Sequence, residues 1–187
     1  HLHLKAFTAV EIVHLAKIAR AYKRDDRRAG IRDVLTRLKE AGLGSLPGGG
    51  AEVFDDRVHD EAFKGKIRSD EWLDVHLVAH ELGLNTNATI LYGHIDERRE
   101  RLVHMEILRR AQDRALARLG YEGQPVTPEL VSRGVVEPNL PATREIDAPV
   151  ITLTRQGVPL PTPALAHKGG YFQTIIPLPF FPDGSEL

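Results

Sequence analysis

The sequence predicts an α/β protein, a partial (β/α)8 barrel with about half of the barrel present. Three observations lead there. Stretches with the strand period of two alternate with stretches of helical period, the pattern of βα units on a parallel sheet. Four strands are recognisable, and 187 residues fall short of the roughly 250 that a closed eight-stranded barrel uses. A triple glycine follows one of the strands directly, where such folds collect ligand-binding loops.

The first element is a short strand over His1 to Phe7, where polar and apolar residues alternate. A helix follows with Ile12, Leu15, Ala16 and Ala19 on one face. The charged run Arg20 to Arg28 interrupts it, and Ile31, Val34, Leu35 and Leu38 resume the same period. Gly42 and Gly44 are placed to end this helix, and Leu43 to Leu46 is a brief strand leading into Pro47-Gly48-Gly49-Gly50. Ser69 has the character of an N-cap for a helix that turns Trp72, Val75, Ala79 and Leu82 inward and closes at Gly83. Leu84 to Tyr92 is the third strand. A long helix from Asp96 to Leu119 is expected to bury Leu102, Met105, Leu108, Ala115 and Leu119. Between Gly120 and Gly170 the periodicity fails; this segment holds eight of the twelve prolines and reads as an insertion within the 1–119 and 171–187 barrel. Tyr171 to Pro177 is the last strand.

Composition narrows the function. A hydrophobic content of 42%, a charged content of 27% and a net charge of −1 describe an ordinary globular domain with no electrostatic case for nucleic acid or an anionic membrane. No apolar run approaches the roughly 18 residues of a membrane span, and there is no signal-peptide pattern, so a cytoplasmic location is expected. Cysteine is absent, which excludes disulfides and a self-supplied iron–sulfur cluster. The chain begins inside an apparent strand and has one methionine, Met105, so it is expected to be a piece of a longer protein.

The chemistry-bearing candidates sit at strand ends. Gly48, Gly49 and Gly50 suit a sharp bend or a close approach to a ligand, and Glu52 beyond them could accept hydrogen bonds; a plain flexible turn is the alternative. Thr8 and Glu11 follow the first strand. Asn87 and Thr89 share one face of the third strand, either toward a ligand or bonded to core backbone. Tyr92 and His94 close that strand, and the histidine could serve as acid or base or as a simple cap. His76 and His80 have the i, i+4 spacing of a zinc pair, yet no third ligand is evident, so they read as ordinary helix histidines and no metal site is expected.

Four blocks in this order carry a resemblance. KAFTAVEI (Lys5 to Ile12), RLKEAGLGSLPGGGAEVF (Arg37 to Phe54), NATILYGHI (Asn87 to Ile95) and IPLPFFP (Ile176 to Pro182) resemble the radical S-adenosylmethionine (SAM) enzymes of the aminofutalosine synthase family. Dehypoxanthine futalosine cyclase and FO synthase are its relatives. The resemblance implies a partial barrel of the radical SAM type that works with SAM and a [4Fe–4S] cluster in menaquinone biosynthesis. It further implies a cavity lined by Thr8, Glu11, Gly48, Gly49, Gly50, Glu52, Asn87, Thr89, Tyr92 and His94, and a small-molecule substrate.

Two departures stand out. The family's CxxxCxxC cluster motif has no counterpart here, so the cluster-binding half of the barrel is expected elsewhere, in the same chain or in trans. The family's last block carries a histidine before its final proline, where this chain has Phe181. The sibling enzymes and a non-catalytic half-barrel remain the alternative readings.

Overall fold

The computed structural model describes residues 2–119 and 169–181. The Pro-rich insertion expected over 120–170 therefore lies almost wholly outside the described residues. Four strands, β1 (Leu4–Lys5), β2 (Leu43–Leu46), β3 (Asn85–Tyr92) and β4 (Phe172–Pro179), form one sheet in the order β1-β2-β3-β4. Every neighbouring pair is parallel. Five helices intervene: α1 (Ala9–Ile18), α2 (Arg27–Glu40), α3 (Asp56–Ala62), α4 (Ser69–Glu81) and α5 (Arg98–Arg118). A parallel sheet in sequential strand order with helical crossovers is what a stretch of (β/α)8 barrel contains.

Local chemistry explains each boundary. Thr8 caps α1 in a capping box: its hydroxyl oxygen accepts from the Glu11 amide, and its own amide donates to the Glu11 carboxylate at 2.7 Å. Ala9, Ile12, Val13 and Ala16 form the buried stripe. The helix does not run on into the next one, because Arg20 takes a left-handed φ of 56°. Asp26 caps α2, and Gly42, with φ 106°, turns the chain out of it. Gly44, expected beside Gly42 as a stop signal, lies instead inside β2. There the β1–β2 register slips, and the His3 ring occupies the space that a Cβ would need.

Other expectations need correction. The first strand is two residues rather than seven, since Phe7 takes φ 64° and breaks the extended run. Arg68 is the N-cap of α4 and Ser69 its first helical residue. The helix α3 has no apolar period strong enough to have been read. In α5, Leu102 and Met105 are exposed, while His104, Ile107, Leu108, Ala111 and Ala115 face inward. The stripe is rotated because His104 is accepted into the core with both ring nitrogens bonded. The charges of the Arg20–Arg28 run, which read in sequence as a solvated helix face, are partly engaged: Arg27 pairs with Asp70 (2.8 Å) and Asp74 (2.5 Å), and Arg28 with Asp74 and Glu81 (2.8 Å each). These pairs tie α2 to α4.

The main core lies between the helices and one face of the sheet. It gathers Ile12, Ile31, Leu35, Leu46, Trp72, Leu73, Ala88, Ile107, Leu108 and Phe172. Trp72 is fully buried, stacked on His76 with ring centroids 3.6 Å apart. Burying a side chain such as Leu35 contributes about 1.5–3 kcal/mol. A second cluster of Val53, Val58, Phe63 and Ile90 sits at the carboxyl end of the sheet. His76 and His80, the candidate pair on α4, are both buried in the main core. His80 bonds Thr86 at 2.8 Å, and neither nitrogen of His76 has a partner. Among the described residues no group of three His, Cys, Asp or Glu side chains is placed to hold a metal, and no helix is long and apolar enough to cross a membrane.

Candidate functional site

Because all four strands are parallel, their carboxyl ends share one rim, and the connections leaving it carry most of the candidate residues. Strand alternation and register place Leu46, Thr86, Ala88 and Phe172 on the helix-packed face. His3, Lys5, Ser45, Asn85, Asn87, Thr89 and Thr174 fall on the other. That second face is polar where a barrel interior is usually filled with branched apolar side chains.

The glycine turn lies against β3. A Cβ on Gly48 would meet the Ala88 main chain at 2.6 Å, so only glycine permits this approach. The Thr89 hydroxyl donates to the Gly48 carbonyl at 2.8 Å, and the Trp72 indole N–H donates to the Gly49 carbonyl at 3.2 Å. Gly50 has φ 87° and faces Val10, while Gly49 touches Thr8. Thr8, Gly48–Gly50 and Thr89 are thus brought together. The loop continues through Glu52 in a left-handed conformation (φ 47°), whose carbonyl accepts from the Leu91 amide at 3.1 Å and whose carboxylate pairs with Lys66 at 2.8 Å. A cleft beside it, lined by Gly50, Glu52, Phe54, Phe63 and Lys66, measures about 20 Å³, room for one water.

Glu11 is exposed and engaged with Thr8. The Thr8 amide, then its hydroxyl, holds the Glu11 carboxyl below the usual glutamate range. Among the described residues no contact joins this cap to His94.

At the end of β3 the Tyr92 carbonyl accepts from the Phe180 amide at 2.8 Å, joining the rims of β3 and β4. The Arg101 guanidinium lies over the Tyr92 ring. The His94 side chain is fully buried between Phe63 and Phe180. Its Nε2 donates to the Leu91 carbonyl at 3.0 Å, leaving Nδ1 with no partner. Asp96 fixes this corner by accepting from the Gly93 (2.7 Å) and His94 (3.0 Å) amides and from Arg101. Burial works against the Asp96 charge, but Arg101 and the two amides together hold its carboxyl below the ordinary aspartate range.

Two residues of this region were missed in the sequence. His104 accepts from the Phe54 amide through Nδ1 and donates to the Thr89 carbonyl through Nε2, 3.1 Å each, so it stitches the loop after β2 to β3. Burial drives its pKa down to about 4, keeping it neutral. Only a polar residue in the buried register of α5 could have signalled it. Lys5 is the other, and its Nζ reaches Asn87 across the face of β2.

A parallel α/β sheet with its polar face and glycine turn meeting at the carboxyl rim defines the class: an α/β protein consistent with a partial (β/α) barrel. Among known proteins the chain is similar to aminodeoxyfutalosine synthase of Thermus thermophilus, at 51% identity over 112 residues, 60% of this chain and 28% of the relative. The Streptomyces coelicolor aminodeoxyfutalosine synthase is 44% identical over 110 residues, 59% of this chain and 26% of that protein. The 5-amino-6-(D-ribitylamino)uracil–L-tyrosine 4-hydroxyphenyl transferase of Methanopyrus kandleri is 34% identical over 178 residues, 94% of this chain and 42% of the relative. The match thus spans between a quarter and about two-fifths of these proteins' length. No family model matches the chain. The resemblance read from the four blocks stands: the chain resembles aminodeoxyfutalosine synthase.

Proposed function

We propose that this chain forms part of a radical SAM aminofutalosine synthase acting in menaquinone biosynthesis. The enzyme joins the 5′-deoxyadenosyl group of SAM to the enolpyruvyl double bond of 3-[(1-carboxyvinyl)oxy]benzoate. With water, rearrangement and loss of the enolpyruvyl carboxylate as bicarbonate give 6-amino-6-deoxyfutalosine, and methionine is released from SAM. The observation that carries the reading is the 51% identity to the Thermus synthase over 112 residues. The polar sheet face and the glycine turn supply a surface on which two small molecules can meet.

With no cysteine, the residues present do not fit a [4Fe–4S] cluster. Its ligands belong to polypeptide outside these 187 residues, in the same chain or in a partner. What this chain contributes is binding and shielding. The Gly48–Gly50 backbone, Thr8, Asn87 and Thr89 line the cavity for SAM or the benzoate, with Glu11, Glu52 and Tyr92 at its margin. His94 stands at the same rim, its side chain buried between Phe63 and Phe180 with Nδ1 unpaired. Phe63 and Phe180 around it exclude water, which a carbon-radical reaction requires.

The test is an anaerobic assay of the full-length protein with reconstituted cluster, reductant, SAM and the benzoate, read by mass spectrometry. Aminofutalosine supports the reading; 5′-deoxyadenosine alone refutes it. The Methanopyrus alignment, over 94% of this chain, favours a second reading in which the partner of SAM chemistry is tyrosine with a ribitylaminouracil. The same assay with those two substrates decides between them.

A further inference from the structure

Lys5 is the one charged residue in the four strands. It stands on the face turned away from the main core, on β1 at the edge of the sheet. A lysine on an edge strand commonly points off the edge and deters pairing with other chains. This one does otherwise. Its side chain runs back across β2, and with the Asn87 amide oriented to satisfy both of its ends, Nζ donates to Oδ1 at 3.1 Å while the amide nitrogen donates to the Thr86 carbonyl. Two strand spacings, roughly 9.6 Å, separate β1 from β3, so the ammonium is carried to the middle of the polar face.

Among the described residues Lys5 has no ion-pair partner, as is also true of Lys17, Lys23, Lys39 and Lys64, whereas Lys66 and most of the described arginines have one. What sets Lys5 apart is its place on the polar sheet face. None of the strands offers a carboxylate to this face. Nor do its other polar groups compete for the ammonium: the Ser45 hydroxyl is bonded to His3, and the Thr89 hydroxyl to Gly48. An ammonium with one neutral acceptor keeps two N–H donors and its whole charge for something else.

We infer that Lys5, steadied by Asn87, is the carboxylate-binding residue of this face and takes the carboxylate of a small organic acid. A single positive charge matches one carboxylate group, where a phosphate would call for further cations or a nest of backbone amides. The inference rests on this face lining the substrate cavity proposed above. Three carboxylates of that reaction share the chemistry: the ring and enolpyruvyl carboxylates of the benzoate substrate and the one on the amino-acid end of SAM.

The experiment measures equilibrium binding to the full-length protein without turnover, by calorimetry. The probes are 3-[(1-carboxyvinyl)oxy]benzoate, SAM, and the pair 3-hydroxybenzoate and 3-hydroxybenzamide. Lys5→Gln should weaken one arm, benzoate or SAM, by at least about tenfold and leave the other within about twofold. Lys5→Arg should keep most of the affinity. Asn87→Asp, which sets a carboxylate against the ammonium, should lose it as Lys5→Gln does. If the ring carboxylate of the benzoate is the group held, the preference for 3-hydroxybenzoate over its amide disappears in Lys5→Gln. If the enolpyruvyl carboxylate is held, that preference stays while affinity for 3-[(1-carboxyvinyl)oxy]benzoate falls. Lys5 is exposed, so the variants should keep the wild-type circular dichroism. Unchanged affinity for both SAM and the benzoate in Lys5→Gln overturns the inference, as does a wild type that binds neither. If Lys5-dependent binding is found but no aminofutalosine forms, the activity fails and the site stands. Turnover with Lys5-independent binding means the reverse.

Discussion

A Cβ built on Gly48 comes within 2.6 Å of the Ala88 main chain, whereas one on Gly49 meets only the Thr8 methyl at 3.2 Å. Backbone cannot withdraw as a methyl group can. Gly48→Ala should therefore cost about 1–3 kcal/mol, and Gly49→Ala well under half of that, compared by chemical denaturation. Equal losses would contradict this account of the turn. The same Thr8 that Gly49 approaches also sets the start of α1, through its capping box with Glu11. Removing the hydroxyl in Thr8→Ala should cost about 1 kcal/mol. Glu11 is held ionised below the ordinary glutamate range by its bonds to Thr8. A depressed carboxylate pKa adds stability that is complete above the unfolded value and is lost as pH falls through the folded one. The gap between wild type and Thr8→Ala should accordingly narrow when melting is repeated at acidic pH.

Among the elements, α4 is the most deeply committed, with eight residues buried, including His76 and His80. Burial lowers the pKa of both, His80 to about 3, so they stay neutral in the fold. The unfolded chain takes up protons first, and stability should fall as pH drops from about 6.5 toward the folded values. His76, fully buried and likewise held neutral, shares in that loss between pH 8 and pH 5. His76→Leu removes that contribution together with two unsatisfied nitrogens, so its denaturation midpoint should change less between those pH values. A wild-type slope in the variant would show that His76 charges within the fold. The period of α4 was legible because Trp72, Val75 and Ala79 are apolar. That of α5 misled, since a satisfied buried histidine looks polar in sequence while Leu102 and Met105 look like core. The helix α3 was invisible, being seven residues whose single deeply buried side chain is Val58.

At the scale of the whole molecule, both outer strands of the described sheet lack a neighbour on one side, and β4 exposes Ile175, Ile176 and Leu178. Unpaired parallel edges with apolar side chains invite association. The 187-residue chain in isolation should form concentration-dependent oligomers in sedimentation velocity. A monomer at all concentrations would mean that its own residues cover those edges. The strand order and parallel sense were readable because alternation of βα units permits few other arrangements. The candidate site was readable only as a set of strand-end residues. Its working connections, Thr89 to Gly48, His104 to Phe54 and Lys5 to Asn87, join residues 41 to 82 positions apart, and no local pattern records them.

Trp72 is the only tryptophan in the chain, and its position makes it an optical reporter. The indole is bonded at one end to the Gly49 carbonyl and lies near parallel to Phe172, the first residue of β4, with ring centroids 6.0 Å apart. Emission wavelength follows the polarity and hydrogen bonding around an indole. A ligand that pulls the glycine turn outward changes the first contact, and loosening of β4 changes the second. Native fluorescence therefore watches the glycine turn at the carboxyl rim and the seam of the sheet from a single fluorophore, with no label introduced.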